Sequence, residues 1–219
     1  YSDHIIVPHS KYIVSYGDMD PAQAAPYACS GLTAFSALKK IPITSKDDWI
    51  IIIGAGGVGI NGILLSPATH KAKILVIDND PDKRKKAIEA GANEAFSPDD
   101  ETEIRNKIGI GASAAIDFVG RPETTDLGLS LVKKGGMVIV VGLYGGSLKI
   151  SLPLVPMKSM TLRGSYVGEL RELKELVNII KSGKIKLIPV KKQGLETANQ
   201  AMSDLRSGKV NGRIVLIPN

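Results

Sequence analysis

The sequence predicts an α/β fold, a doubly wound parallel sheet with helices on both faces. Three observations carry it. Residues 49–53 (Trp-Ile-Ile-Ile-Ile) are a continuous apolar run, as expected of a strand buried on both faces. That run ends in Gly54-x-Gly56-x-x-Gly59, and the acid Asp78 ends the next apolar run. Beyond it, short apolar runs alternate with helical patterns at the spacing of β-α-β units.

Taken in order, a helix is predicted over 57–66, starting at the glycine motif and ended by Pro67. Lys73–Asp78 is the second strand. Asp80-Pro81-Asp82 then combines a helix N-cap with proline at the first helical position, and that helix runs to about Gly91, a plausible C-cap residue. A short strand follows at Glu94–Phe96 and a helix at Glu101–Ile108. Next come a strand at Ala114–Val119, a helix at Glu123–Lys133 and a strand at Met137–Gly142. Residues 1–17 contain short β-like pieces broken by Pro8 and Gly17. Residues 147–154 alternate Leu148, Ile150, Leu152 and Leu154, a strand pattern in which Pro153 suits an edge. An amphipathic helix spans 169–182, with Leu170, Leu173, Leu176, Val177 and Ile180 on one face. A strand at Lys186–Val190, a helix at Leu195–Ser207 and a strand at Arg213–Ile217 complete the chain.

Composition sets the bounds. A chain of 219 residues with 43% hydrophobic and 23% charged residues can bury a sizeable core. No apolar run reaches the roughly 18 residues of a membrane span. One cysteine excludes an internal disulfide framework and fits a reducing, cytoplasmic setting. The net charge of +6 is scattered, with one dense cluster at Lys83–Lys86 and few interleaved aromatics. That pattern reads as a solvated helix face and argues against nucleic acid as a partner.

The glycines have a definite physics. Gly54 allows the tight turn out of the strand, Gly56 lets backbone approach a pyrophosphate, and Gly59 lets the helix pack closely on the sheet. Free N–H groups at the helix N-terminus then face the phosphates. Asp78 can accept hydrogen bonds from the adenosine ribose hydroxyls. A 2′-phosphate would meet its charge, so NAD is favoured over NADP. Lys83, one turn into the next helix, can reach the same ribose. A methyltransferase holding S-adenosylmethionine and a non-catalytic nucleotide-binding module share these features and remain as alternatives.

Residues 25–38 read Ala-Pro-Tyr-Ala-Cys-Ser-Gly-Leu-Thr-Ala-Phe-Ser-Ala-Leu. This segment resembles the lead into the cofactor domain of zinc-dependent medium-chain alcohol dehydrogenases. The resemblance continues through Gly54–Gly59, Asp78, Ala90-Gly91-Ala92, Asp117-Phe-Val-Gly120, Val141-Gly142, Gly208 and Gly212-Arg213. It covers nearly the whole chain. It implies a Rossmann NAD-binding domain over 31–166, with 1–30 and 167–219 as parts of a GroES-like β-rich catalytic domain. It also implies NAD-dependent oxidation of an alcohol to an aldehyde or ketone, with zinc lowering the alcohol pKa.

Residue by residue, Cys29 resembles a ligand of the catalytic zinc. Thr33 and Val58 resemble residues beside the nicotinamide ring, and Val141 and Ser165 match positions whose backbone touches its carboxamide. Asp78 and Lys83 resemble the ribose pair, Gly57 belongs to the phosphate loop, and Arg213 resembles an arginine on the pyrophosphate. Beyond Cys29 no catalytic residue is assigned. His4, His9 and His70 have no ligand spacing to Cys29 and are read as non-catalytic. A sheet edge near Ser147–Leu154 implies a homodimer, or a homotetramer built from dimers.

The chain departs from the family in lacking further zinc ligands, the four-cysteine structural zinc lobe and the hydroxyl relay. The expectation is therefore the C-terminal part of a longer enzyme, able to bind NAD without turnover.

Overall fold

In the computed structural model, which describes residues 2–42, 44–210 and 212–218, the alternation closes into one six-stranded parallel sheet. The chain enters through α1 (Pro21–Ala24) and α2 (Ser30–Lys39). There follow β1 (Trp49–Ile53), α3 (Gly59–Leu65), β2 (Lys73–Ile77), α4 (Pro81–Ala90), β3 (Glu94–Phe96) and α5 (Glu101–Ile108). The second half adds β4 (Ala112–Asp117), α6 (Pro122–Leu131), β5 (Val132–Val140), α7 (Leu154–Lys158) and β6 (Thr161–Gly164). Beyond it lie α8 (Leu170–Lys181), β7 (Val190–Gly194), α9 (Ala198–Arg206) and β8 (Arg213–Ile217).

The strand order is β3-β2-β1-β4-β5-β6, every pair parallel. From β1 the chain winds outward to β3, then returns to β4 on the other side of β1. The order reverses there, and in such sheets ligands bind in the crevice beyond the strand ends at that point.

All five residues of β1 are buried, because each face of the sheet carries a layer. Ile50 and Ile52 join one core with Phe35, Leu38, Ile63 and Leu176. Ile51 and Ile53 join the opposite core with Ile104, Leu129 and Val138. Helix α4 has the predicted ends: the Asp80 side chain accepts from the Asp82 and Lys83 amides, and Gly91 takes the left-handed C-cap at φ 114°. Helix α8 buries Leu176, Val177 and Ile180. No helix among the described residues is long and apolar enough to cross a membrane.

Several expected elements differ. Among residues 2–17 there is no strand; a short 3-10 turn at Ser10–Tyr12 is the regular piece, and Ile5 and Ile6 stand in solvent. Residues 147–152 form no strand either, and Leu154 begins α7. Their alternation is real, since Leu148 and Ile150 pack on the core while Leu152 is exposed. No neighbouring strand offers them hydrogen bonds, and Pro153 starts a helix instead. The sheet edge is β6, four exposed residues. The strand expected at Lys186–Val190 forms at Val190–Gly194, where it pairs in parallel with β8. β5 starts at Val132, earlier than expected, through an irregular register opposite Ala112–Ala114.

Candidate cofactor site

The strand ends at the reversal point enclose a cleft of about 510 Å³. One wall is the glycine loop: Gly54, Gly56, Gly57, Val58 and Gly59 all line it. Gly54 sits at φ 91° and anchors the loop by donating its N–H to the Ile77 carbonyl, 2.8 Å away. At Gly59 a Cβ would lie 1.9 Å from the Gly54 carbonyl oxygen, so only glycine lets α3 approach the strand end. At Gly56 a Cβ would meet nothing within 4 Å, because that residue faces the open cleft. The cleft thus leaves the backbone at Gly56 open to a bound group.

Arg213 arrives from the far end of the chain. A Cβ on Gly57 would lie 2.8 Å from the Arg213 Cδ and 3.0 Å from its Nη1, so the side chain lies directly against the loop. It is held there because its N–H donates to the Pro189 carbonyl at 2.9 Å, just before β7.

Asp78 and Lys83 also line the cleft. Asp78 is 8% exposed; its Oδ2 accepts the Ala55 N–H at 2.7 Å and its Oδ1 the Asp80 N–H at 2.9 Å. Arg84 steadies the same turn, donating from Nη1 to the Asp78 and Asn79 carbonyls. The carboxylate therefore braces the glycine loop against the end of β2.

The segment after β4 carries residues to which the sequence assigned no role. Asp117 is fully buried and accepts four bonds, from the Val119 and Gly120 amides and the Thr124 and Thr125 hydroxyls, at 2.7–2.9 Å. The Asp-x-x-Gly spacing was its only sequence signal. Arg121, at the mouth, stacks its guanidinium 3.5 Å from the Tyr144 ring centre, and both residues line the cleft. Nothing in the local sequence signals that pair, which spans two loops.

Cys29, Thr33, Val141, Ser165 and Arg213 are not in this lining; Arg213 lines a neighbouring cavity with Gly212 and Ile214. Val141 and Ser165 follow β5 and β6 at the same end of the sheet: the Val141 N–H donates to the Asp117 carbonyl and the Ser165 N–H to the Val140 carbonyl. The Ser165 hydroxyl accepts from Lys40 Nζ at 3.0 Å, and Lys40 also donates to the Ser36 hydroxyl. Burial lowers the Lys40 pKa, an effect that Glu172 partly opposes. Two residues on, Val167 takes φ 49°, costly for a β-branched side chain and a mark of local constraint.

Thr33 lies in the first turn of α2, its N–H on the Cys29 carbonyl. Cys29 is exposed, and no group of three His, Cys, Asp or Glu that could hold a metal exists among the described residues. His70 is held by structure, with Nε2 at 2.9 Å from the Leu38 carbonyl.

A doubly wound sheet with a glycine loop, a buried acid after β2 and a cleft at the reversal point defines the Rossmann-like class of α/β folds. Residues 57–182, more than half of the chain, match the zinc-binding dehydrogenase family, and the chain belongs to that family. It is 32% identical over its whole length to an NAD-dependent alcohol dehydrogenase of Sulfurisphaera tokodaii, spanning 64% of that protein. It is also 33% identical over its whole length to a D-arabinose 1-dehydrogenase (NADP(+)) of Saccharolobus solfataricus, again spanning 64%. The alcohol dehydrogenase structure from Aeropyrum pernix superposes with a TM-score of 0.85 at 32% identity, covering 92% of this chain and 60% of that one. The chain thus spans less than two thirds of the length of these relatives.

Proposed function

We propose that this chain holds NAD in the β1/β4 crevice and serves hydride transfer between NAD and an alcohol, giving an aldehyde or ketone. One observation carries the reading: the open face of Gly56 lines the same cleft as the buried Asp78, and Arg213 packs against the adjacent Gly57. The loop amides and Arg213 neutralise the pyrophosphate. Asp78 and Lys83 take the ribose, and the Arg121 guanidinium offers a flat cationic face at the mouth. Thr33, Val58, Val141 and Ser165 form the nicotinamide end, and Lys40 holds Ser165 in place. When bound, NAD supplies the hydride acceptor; the protein supplies distance and orientation.

Because relatives use both NAD and NADP, the preference rests on Asp78. Its charge, at the end of β2, opposes a 2′-phosphate.

For zinc, the fit is incomplete. Cys29 offers one sulfur from an exposed turn, and a catalytic zinc needs about three protein ligands. The described residues do not complete such a site. Residues 31–166 act as the cofactor domain, and 1–30 and 167–219 belong to a catalytic domain. The exposed β6 edge, flanked by Leu152 and Met157, is the surface we assign to a second copy. A cytoplasmic location follows the single exposed thiol.

Titration calorimetry of the 219-residue chain with NAD, NADP and S-adenosylmethionine tests the reading. NAD should bind most tightly; preferential binding of S-adenosylmethionine would overturn it. Alcohol-dependent NADH formation by the same chain, with stoichiometric zinc, would overturn the incomplete metal site.

A further inference from the structure

The cofactor loop and the Cys29 turn lie on different elements, yet one buried side chain ties them together. Asn61, in the first turn of α3, is fully buried. Its Nδ2 donates to the Gly57 carbonyl at 3.1 Å and to the Ser30 hydroxyl at 3.2 Å. Ser30, itself buried, donates its own O–H to the Pro26 carbonyl at 2.9 Å. That carbonyl also accepts the Cys29 N–H, at 3.4 Å. The two acceptors on Nδ2 determine which way the amide points, because the Gly57 carbonyl cannot donate.

Packing alone does not explain asparagine here. Its Oδ1 is buried and accepts no hydrogen bond among the described residues, a cost that an apolar side chain would avoid. The helix position that bears this cost is the one joining Gly57, which touches Arg213, to Ser30, the neighbour of Cys29.

We propose that Asn61 is a positioning residue that couples occupancy of the phosphate loop to the geometry of the Cys29 turn. When an anion settles on the loop, Gly57 is held, Asn61 is held with it, and Ser30 and Pro26 stiffen the turn that presents the thiol. By linkage, fixing that turn favours the loop conformation that binds the anion. The inference rests on the proposed cofactor reading.

ADP-ribose is the probe, because it fills the phosphate loop without a nicotinamide to shield the thiol. Its binding is measured by calorimetry, and alkylation of Cys29 by iodoacetamide is followed by mass, for the wild-type chain, Asn61→Leu and Ser30→Ala. ADP-ribose should slow wild-type alkylation by about fivefold, the low end of ordinary coupling. Both variants should lose the response while still binding ADP-ribose. Should Asn61→Leu fold poorly, Ser30→Ala, which removes one hydroxyl, decides alone. Binding with no effect on wild-type alkylation, or a response that survives in Ser30→Ala, overturns the coupling and leaves the cofactor reading intact. No binding of ADP-ribose to the wild type overturns both.

Discussion

Replacing Asp78 with serine should separate the two tasks of that carboxylate. In the fold it accepts the Ala55 N–H at 2.7 Å and the Asp80 N–H at 2.9 Å while 8% exposed. Hydrogen bonds to a charged group contribute about 1.5–3 kcal/mol each, and the serine hydroxyl can recover one, so the stability loss should be about 2 kcal/mol. For a chain of this size that lowers Tm by about 4–8 °C. In the complex, the lost acceptor for the ribose hydroxyls should weaken NAD by about 30–150-fold, from about 2–3 kcal/mol. NADP should gain, because the charge facing its 2′-phosphate is gone. The assay is calorimetry with each nucleotide on the folded variant, with a thermal melt beside it. If Asp78 only braced the loop, a displaced Ala55 amide would weaken both nucleotides equally. A ratio of NADP to NAD dissociation constants that stays within about threefold of wild type would therefore refute the ribose role, whatever happens to Tm.

Other predictions follow from the same geometry. Gly59→Ala forces a Cβ to within 1.9 Å of the Gly54 oxygen and should cost about 3 kcal/mol or more by urea unfolding. Gly56→Ala, with nothing within 4 Å, should leave stability within about 0.5 kcal/mol yet weaken NAD by about tenfold or more by filling the space the phosphate needs. Lys40→Met should weaken NAD but not ADP-ribose, because the Ser165 it holds serves the nicotinamide end; equal loss for both ligands would refute that assignment. At the opposite end of the sheet, bonds from Lys133 and Ser113 hold the Asp48 carboxyl well below its ordinary 3.8. A depressed folded-state pKa stabilises the fold above 3.8, and the benefit fades as pH falls toward the folded value. Asp48→Asn should thus lose about 1 kcal/mol at pH 7, with the gap to wild type narrowing below pH 3.8.

Local chemistry made the phosphate loop legible in the sequence. A buried strand, three glycines and a helix start are contiguous, and the constraint at Gly59 is the approach of a helix to the strand immediately before it. Asp78 and the Asp80-Pro81 cap were legible for the same reason, each sitting at an element end that its own neighbours define. The strand expected at residues 147–154 was misread because alternation reports burial on one face but not a pairing partner. Leu148 and Ile150 have the burial and lack the neighbour.

What the sequence determined by itself is the doubly wound alternation from β1 to β5 and the acid-and-glycine crevice, because periodicity and turn chemistry act within a few residues; β6 and α2 were not read from it. What only the tertiary structure decided is which distant groups come against that loop and the crevice walls. Arg213 comes against Gly57 through the pairing of β8 with β7 and the Pro189 carbonyl. Arg121 stacks on Tyr144 because the loops after β4 and β5 meet. The bond from Asn61 to Ser30 exists because α2 and α3 pack on the same face of the sheet. A hydrogen bond of about 3 Å between residues some 30 positions apart leaves no periodic trace along the chain; it exists only once burial has brought the two helices together.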